Sequence, residues 1–427
     1  MGNILIKNVF LNGGETDIYI ENGKIVKIGD CSGMTADEII VAKGMGAVPG
    51  FVNMHTHAAM TLMRGVEEDL PLGAWLRRIW QVEANVNEET VYWGTKLACI
   101  EMIKSGTTTF NDHYWKPSAA VQAVKESGIR SWSSYVCMDH GDSGRAEADK
   151  RGMEQAFNDS ASWGDKSSFV AGCHSTYEVS KDMLLWCRDF AKERGLKLHI
   201  HLCETAAEVE HCRSVHGMSP VRYLDSLGML GPWLIAAHTL WLDVEDIKLL
   251  GENHVNVVHN INSNLKIASG YRFMYDELVA AGANVTLGTD GCASSNNLDM
   301  LEAMKTAAMV QKAWRGNPKA MPLNELLDIA TVNGAKALGL DAGRIECGME
   351  ADLSLVNMRS SVFIPNINFL SNLVYSAHSD AIDTVICGGR IVMRGRRIEG
   401  EDRILEAAAE AGRRLLEKSG IKINNVI

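Results

Sequence analysis

Short apolar runs that alternate with amphipathic helical segments fill the middle of the chain, and this alternation constrains the fold more than any other feature. Eight such runs lie between Ala47 and Asp290. Eight strands that alternate with helices are the number that a closed parallel barrel needs, so we predict an α/β fold, a (β/α)8 TIM-like barrel. The runs are Phe51–His57, Thr107–His113, Arg130–Cys137, Ser168–Ser175, Leu196–Leu202, Leu234–Thr239, Val255–Asn260 and Asn284–Asp290.

The segment between the first two runs carries clear helix boundaries. Asn87 can cap the amino-terminal end, and Glu88 and Glu89 suit the positive end of the helix dipole. Gly106 then ends the helix before the next strand. The sequence therefore predicts a helix over Glu88–Ser105.

Both ends of the chain have the pattern of short antiparallel strands instead. Residues 4–28 alternate apolar and polar residues around turns, and Gly343–Val356 and Asp383–Val392 return to the same pattern. We expect these pieces to form one small discontinuous β-sandwich. The predicted domains are residues 1–48 (first part of the sandwich), 49–355 (barrel) and 356–427 (second part of the sandwich and a C-terminal helix, Ile404–Lys418).

Composition excludes some classes of function. The net charge is −11 and no long run of one sign offers a surface for nucleic acid or a membrane, so a small-molecule substrate is expected. No apolar run reaches membrane-spanning length, and the first residues lack a signal-peptide pattern, which predicts a cytoplasmic protein. The ten cysteines include no C-x-x-C pair, and we interpret them as buried reduced thiols.

The tripeptide His55-Thr56-His57 ends the first predicted strand. Side chains two residues apart on a strand point to the same side, so both imidazoles can reach one ion. They lie at the carboxyl end of the strand, where barrels of this kind hold their active sites. Taken alone, the pair fits two loop histidines equally well.

Metal-ligating residue types also end later strands. His201 follows strand five, His238 follows strand six and Asp290 follows strand eight, and a barrel brings these ends to one mouth. Three imidazoles and a carboxylate leave a position for water, which is typical of a catalytic rather than a structural site. The predicted metal ligands are His55, His57, His201 and Asp290.

Glu204 stands three residues beyond His201, where strand five has run out into the mouth. A partly desolvated carboxyl group there has a raised pKa and can move a proton between water and a ring nitrogen, so we predict Glu204 as the general acid/base. The sequence does not separate His238 from a fifth metal ligand, but its position far around the barrel from the first histidine pair favours a residue that orients or polarises the attacking water. His199 is interpreted as a core histidine, and no role is assigned to His113, His140, His211, His216 and His254.

Four motifs occur together in a characteristic order: Pro49–His57, His201–Thr205, Leu287–Gly291 and Gly343–Leu353. They resemble the amidohydrolase superfamily, in the branch that holds the methylthioadenosine and S-adenosylhomocysteine deaminases and the s-triazine chlorohydrolases. The resemblance spans about residues 48–356. It implies a β/α barrel with a small flanking β-sandwich, in agreement with the strand count. Strand seven departs from the family pattern, with Ile261 where a proline is usual.

The resemblance also implies the number of metal ions. Members with two metals carry a carboxylated lysine at the end of strand four, where this chain reads Ala171-Gly172-Cys173-His174-Ser175. One ion per subunit is therefore expected. Zn²⁺ is the first choice, while Fe²⁺ or Mn²⁺ also fits histidine and carboxylate ligands. Many members are oligomers, so a homo-oligomer is compatible with the resemblance.

The same resemblance implies how a nucleoside is held. Residues 61–76, which include Trp75, are similar to the segment that covers the nucleoside, and Glu83 matches the carboxylate that holds both ribose hydroxyls. His174 matches a histidine that contacts the purine. Arg145 resembles an arginine that pairs with the homocysteine carboxylate, but the partner arginine expected upstream is absent. Methylthioadenosine, S-adenosylhomocysteine, 5′-deoxyadenosine and adenosine stay open as substrates.

These roles predict the hydrolytic deamination of an adenine nucleoside, in nucleoside salvage, by a hydrolase that acts on C–N bonds of cyclic amidines. We expect the metal to lower the pKa of a water molecule and Asp290 to accept its proton. The activated water then attacks C6 of the purine while Glu204 protonates N1, and ammonia leaves.

Two other functions stay open. One is deamination of a free base such as guanine, or hydrolysis of an s-triazine, and Glu83 would discriminate because these substrates have no ribose. The other is a barrel that serves as a non-catalytic scaffold, against which the complete set of ligands argues. A cytidine-type zinc deaminase is excluded, since neither its H-x-E nor its P-C-x-x-C signature occurs.

Overall fold

Sixteen strands form two eight-stranded sheets in the computed structural model, which describes residues 2–70 and 72–421. In chain order the strands are β1 (Ile4–Leu11), β2 (Gly14–Glu21), β3 (Lys24–Gly29), β4 (Glu38–Val41), β5 (Met45–Pro49), β6 (Phe51–Thr56), β7 (Thr107–Asp112), β8 (Arg130–Cys137), β9 (Ser167–Cys173), β10 (Leu198–Leu202), β11 (Leu234–His238), β12 (Asn256–His259), β13 (Asn284–Leu287), β14 (Leu353–Asn357), β15 (Ile382–Cys387) and β16 (Arg390–Met393).

Strands β6 to β13 form the predicted barrel. They are parallel and follow one another around the sheet in chain order. Beyond the last strand, the backbone N–H of Asp290 donates to the carbonyl oxygen of His55 in the first (2.9 Å), which brings the two ends of the sheet together. The barrel fold and all eight predicted strands are confirmed.

Strand β10 shows how the sequence separates the inside of the barrel from the outside. Leu198, Ile200 and Leu202 belong to the large apolar core that the strands share with the surrounding helices. His199 and His201 alternate with them and meet other imidazoles inside the barrel. Because side chains alternate along a strand, one short segment serves both the core and the site.

Most of the helices connect barrel strands and cover their outer face, and the others follow the last barrel strand. They are α1 (Leu72–Glu83), α2 (Glu88–Lys104), α3 (Pro117–Ser127), α4 (Ser143–Ser160), α5 (Lys181–Glu193), α6 (Ala206–His216), α7 (Pro220–Ser226), α8 (Val244–Glu252), α9 (Ile261–Lys266), α10 (Tyr275–Ala281), α11 (Cys292–Ser295), α12 (Met300–Arg315), α13 (Leu323–Ala330), α14 (Val332–Leu338), α15 (Phe369–Ser371) and α16 (Glu401–Lys418). Short 3₁₀ helices span Ala58–Met63, Ser361–Phe363 and Ser379–Ala381, and a π-helical turn spans Asn372–Ser376.

Helix α2 has the boundaries that its sequence predicts. The side chain of Asn87 accepts a hydrogen bond from the backbone N–H of Thr90 and so caps the helix. Gly106 takes a φ of +88° just past its end. Helix α16 begins at Glu401, three residues before the predicted start at Ile404.

The second sheet joins both ends of the chain. Its strands run in the order β16-β15-β14-β5-β1-β2-β3, and β4 pairs with β1. Strand β5 is the junction, because it pairs in parallel with β1 and antiparallel with β14. Strands β5 and β14 each cross one of the predicted domain boundaries, after residues 48 and 355. The division into domains at those two positions stays a prediction.

A buried ion cluster ties the second sheet to the amino-terminal end of the barrel. Arg130, the first residue of β8, donates through Nε to Asp352 (3.1 Å) and through a terminal nitrogen to Glu350. Asp352 also accepts the backbone N–H of Gly388 (2.5 Å). These carboxylates raise the pKa of Arg130 despite its burial. We call Arg130, Glu350 and Asp352 the base cluster.

All ten cysteines are free thiols, as predicted. Nine of them are buried, but Cys347 is exposed because it lies in the turn before β14. None of the helices within residues 2–70 and 72–421 is both long and apolar enough to cross a membrane.

Candidate active site

The carboxyl ends of three barrel strands bring four of the predicted residues together. His55 and His57 come from the end of β6, His201 from β10, and Asp290 from the turn after β13. The Nε2 atoms of His55 and His57 lie 3.3 and 3.2 Å from Oδ1 of Asp290. The Nε2 atoms of His57 and His201 are 3.3 Å apart. We call these four residues the metal cluster.

Backbone carbonyl groups set the tautomers of two of these histidines. Nδ1 of His57 donates to the carbonyl oxygen of His113 (2.6 Å), and Nδ1 of His201 donates to that of His174 (2.8 Å). In the neutral rings the two Nε2 atoms therefore carry lone pairs, and these face each other. Such an arrangement needs a cation between the rings, either a metal ion or a proton.

His55 completes the case for a metal. Its Nε2 atom is buried and has no hydrogen-bond partner among the described residues. Its Nδ1 atom lies 2.9 Å from Nε2 of His199, the predicted core histidine, so metal binding through Nε2 of His55 places the hydrogen on Nδ1. One ligand atom from each of His55, His57 and Asp290 fits within 4.8 Å of the others, which suits a single divalent ion.

Hydroxyl groups hold the second oxygen of Asp290. Oδ2 accepts hydrogen bonds from Ser263 (2.6 Å) and Ser294 (3.0 Å), and Oδ1 accepts the backbone N–H of Gly291 (2.8 Å). Burial alone would raise the pKa of Asp290, but the nearby imidazoles of His55 and His57 keep that pKa well below the usual range. The carboxylate is thus ionised and its Oδ1 faces the imidazoles.

His238 lies beside the metal cluster with a different tautomer. Asn264, in α9, donates through Nδ2 to Nδ1 of His238 (2.9 Å), which leaves the hydrogen on Nε2. Its Nε2 lies 3.7 Å from Oε2 of Glu204. One ligand atom of His238 also fits within 4.8 Å of those of His55 and His201, so distance alone does not separate it from the ligands. The hydrogen on Nε2 favours a donor instead.

A cavity opens at the mouth of the barrel, beside the metal cluster. Glu204 extends into this cavity from the loop after β10. Its side chain is 12% exposed. Burial, reinforced by the negative charge of Asp290, raises the pKa of Glu204 to about 8. Glu204 therefore carries a proton at neutral pH and can donate it.

Several residues at the mouth have a left-handed backbone. Cys203, His238, Thr239 and Asp290 take φ values of +52°, +76°, +47° and +63°. Residues with a Cβ atom rarely adopt this region, and each such position costs about 1–3 kcal/mol. At these four positions the strained backbone lies where the strands end, and it turns His238 and Asp290 into the barrel.

Helix α1 covers one side of the cavity and supplies Glu83. Oε1 of Glu83 accepts a hydrogen bond from the hydroxyl of Tyr114 (2.9 Å), and burial raises the pKa of Glu83 to about 7. Trp75, predicted in the covering segment, is buried, and its Nε1 has no partner among the described residues. Both side chains line the cavity that is also lined by His57, His201, Asp290 and Glu204.

The remaining predicted contacts divide into one inside the cavity and one outside. His174 follows β9 and lines the cavity, with its ring centroid 4.9 Å from that of His201. Burial lowers the pKa of His174 to about 3, so the ring is neutral. Arg145 is exposed in the first turn of α4 and does not line the cavity.

Two residues that received no role in the sequence analysis belong to the site. His113, beyond β7, orients His57 through its carbonyl group, and its own Nε2 is buried without a partner among the described residues. Tyr114 follows it and holds Glu83. The position of His113 could have indicated its role, because His113 ends the second predicted strand as His57 ends the first.

Comparison with known proteins places the chain in a group of related enzymes. A model of the amidohydrolase family matches residues 47–392. A 5′-deoxyadenosine deaminase of Methanoregula boonei is 44% identical over 425 residues, covering 97% of this chain and 96% of that protein. One of Methanocaldococcus jannaschii is 44% identical over 414 residues (95% and 98%). The structure of an adenosine deaminase of Xanthomonas campestris with bound zinc has a TM-score of 0.91 and 32% identity, covering 97% of this chain and 98% of that one.

Proposed function

Because the chain belongs to the amidohydrolase family, as a hydrolase that acts on carbon–nitrogen bonds, we propose that it removes the 6-amino group of an adenine nucleoside. Water replaces the amine, and the products are the inosine analogue and ammonia. The proposal includes one divalent ion per chain, with zinc as the first choice. It also includes a cytoplasmic location for the protein.

The observation that carries the proposal is the composition of one cavity. Three residues of the metal cluster (His57, His201 and Asp290), the protonated carboxyl group of Glu204 and the carboxyl group of Glu83 line it. A group that binds an ion, a group that donates a proton and a group that recognises ribose are the three parts that nucleoside deamination needs.

The metal cluster is the part of the site that would activate water. His55, His57, His201 and Asp290 would hold a divalent ion, and that ion would supply the Lewis acidity that makes water nucleophilic near neutral pH. Asp290 receives a proton from the attacking water on Oδ1, the oxygen that faces His55 and His57. Ser263 and Ser294 keep the other oxygen turned away.

Glu204 and His238 act on the purine and the attacking water. Glu204 donates its proton to N1 of the ring, which allows C6 to accept the nucleophile. The proton held by Asp290 then passes to the amine, the C6–N bond breaks and ammonia leaves, while the hydroxyl proton on C6 returns to Glu204 as the C6=O bond forms. His238 directs its Nε2 hydrogen at the oxygen that adds to C6. The neutral ring of His174 packs against the purine and accepts or donates a hydrogen bond without bringing a charge.

Glu83 selects nucleosides over free bases. An ionised carboxylate accepts both ribose hydroxyls, and a substrate that lacks them leaves the buried carboxylate unpaired. Tyr114 already donates to one oxygen and fixes the orientation of the group.

The cavity also favours certain 5′ substituents. Its lining includes aromatic and aliphatic side chains such as Trp80, Trp115 and Val136, and no lysine or arginine of the described residues is among them. The carboxylate of S-adenosylhomocysteine would lack a cationic partner there, since Arg145 lies outside. We therefore expect 5′-deoxyadenosine, methylthioadenosine and adenosine to be preferred.

The test is a substrate comparison with the zinc-loaded protein. The ultraviolet change from adenine to hypoxanthine is followed with the three preferred nucleosides, S-adenosylhomocysteine, adenine and guanine, and kcat/KM ranks them. We expect kcat/KM to be highest for the uncharged nucleosides, lower for S-adenosylhomocysteine and negligible for the bases. Turnover of guanine or an s-triazine without turnover of any nucleoside would reject the proposal.

A further inference from the structure

Glu208 is a buried carboxyl group that the mechanism above does not use. It lies in the first turn of α6 and is 6% exposed. Burying a carboxyl group is costly unless hydrogen bonds compensate, so its partners indicate its purpose. Both of its oxygens accept backbone N–H groups of the loop that carries Glu204. Cys203 N–H bonds to Oε1 (2.9 Å) and Glu204 N–H bonds to Oε2 (2.7 Å).

These contacts go beyond the capping of a helix. Thr205 is the N-cap residue of α6, and its side chain accepts the N–H of Glu208 (3.1 Å), as in a capping box. The glutamate of a capping box bonds to the backbone N–H of the N-cap residue itself. Glu208 reaches the two residues before the cap, which the helix does not require.

The loop that Glu208 holds is the strained one. Cys203 has a φ of +52°, a conformation that the chain does not keep without outside contacts. On the other side, the carbonyl oxygen of Cys203 accepts the N–H groups of Leu240 and Trp241 (both 3.0 Å). The peptide units on both sides of Cys203 are thus fixed, and the direction of the next side chain, Glu204, follows from them.

We propose that Glu208 is a positioning residue that holds the Cys203–Glu204 backbone so that the carboxyl group of Glu204 points at the purine. The proposal rests on the proposed function, because Glu204 must be the proton donor for its position to matter. A displacement of about 1 Å in a reacting group costs about a hundredfold in rate, so a hydrogen-bonded clamp on this loop has a large kinetic effect.

The test is a double-mutant cycle with Glu204. Glu208→Gln keeps the shape of the side chain but replaces one acceptor oxygen with an amide that cannot accept an N–H. We expect kcat with 5′-deoxyadenosine to fall about ten- to a hundredfold, with KM within about threefold. In the Glu204→Gln background, the same substitution should change kcat by less than about twofold, because Glu208 acts only through Glu204.

Matched measurements separate this role from a structural one. Glu210→Gln changes an exposed glutamate on the same helix and should leave kcat unchanged. Bound zinc and melting temperature are measured for every variant. The proposal is overturned if Glu208→Gln keeps wild-type kcat, loses zinc or folded protein in proportion to kcat, or lowers kcat equally in both backgrounds. If Glu204→Gln alone keeps wild-type kcat, the proposed proton donor is wrong, which is a distinct result.

Discussion

Two buried charge clusters lie at opposite ends of the barrel, and they are completed in different ways. In the base cluster, Arg130 meets Glu350 and Asp352, and Lys24 lies 3.7 Å from Glu350, so two positive charges face two negative charges within the protein. In the metal cluster, Asp290 is the one carboxylate, and two of its imidazole neighbours turn lone pairs toward each other.

The difference shows which cluster serves stability and which serves chemistry. A cluster that satisfies its own charges and hydrogen bonds needs nothing further, and it holds the second sheet against the barrel. A cluster whose acceptor atoms face one another is stabilised only when a cation binds between them. The cluster that serves stability and the cluster that serves chemistry therefore lie about one strand length apart, at the two ends of the barrel.

The largest expected effect comes from removing a ligand of the metal cluster. His57→Ala should lose stoichiometric zinc, measured by elemental analysis, and turnover should fall below detection. The melting temperature of the zinc-free protein should match that of the zinc-free wild type, because the cluster does not stabilise the fold by itself. His211→Ala, at an exposed position of α6, is the control. A zinc-free His57→Ala protein that melts much earlier than zinc-free wild type would break the comparison.

The opposite result is expected at the base cluster. Arg130→Met leaves Asp352, which is 1% exposed, without its partner, and should lower the free energy of unfolding by about 3–5 kcal/mol. Turnover per folded, zinc-loaded molecule should stay at the wild-type value. Denaturant unfolding and kcat are the measurements. Adding Asp352→Asn should recover part of the lost stability, and failure to do so would mean that the ion pairs are not the cause.

A smaller effect, on pH dependence, sharpens the comparison at the mouth. Burial raises the pKa of Glu83 to about 7, and only the ionised form accepts both ribose hydroxyls. Protonation below that pKa removes the acceptor, so kcat/KM for a nucleoside should rise about fivefold from pH 6 to pH 7, a range in which Glu204 keeps its proton. This rise should be absent in Glu83→Gln and with 2′,3′-dideoxyadenosine. Its persistence in both would assign the titration to another group.

The smallest effect is expected at Arg145. Its side chain is exposed in α4, near the mouth but outside the cavity. Arg145→Ala should change kcat/KM by less than about twofold for every nucleoside, including S-adenosylhomocysteine. A selective loss with S-adenosylhomocysteine would show that the tail of that substrate leaves the cavity and reaches α4.

The sequence predicts the barrel well because buried parallel strands are continuous apolar runs with clear borders. The predicted and observed strands differ at their ends. The eighth strand was predicted to reach Asp290, but β13 ends at Leu287, because the chain turns into the mouth and Asp290 adopts a positive φ. Backbone strain of this kind leaves no periodic signal in the sequence.

The residues of the candidate site also divide into those that the sequence predicts and those that it does not. His57, His201 and Asp290 could be named because their chemistry is rare at strand ends, and the barrel explains why they meet. The partners that orient the site could not be named, since Asn264 and Glu208 are common residue types on short helices with no diagnostic spacing. Arg145 was named from a motif, but the start of α4 at Ser143 turns it toward solvent.

The junction strand of the second sheet has a consequence for the order of events during synthesis. Strand β5 leaves the ribosome early, but its antiparallel neighbour β14 follows about three hundred residues later. At translation rates of about 5–20 residues per second, one edge of β5 stays open for about 15–60 seconds. During that time the nascent chain has an unpaired strand edge, which is a site for aggregation or for a chaperone. A strand that is made late therefore closes the open edge of a strand that is made early.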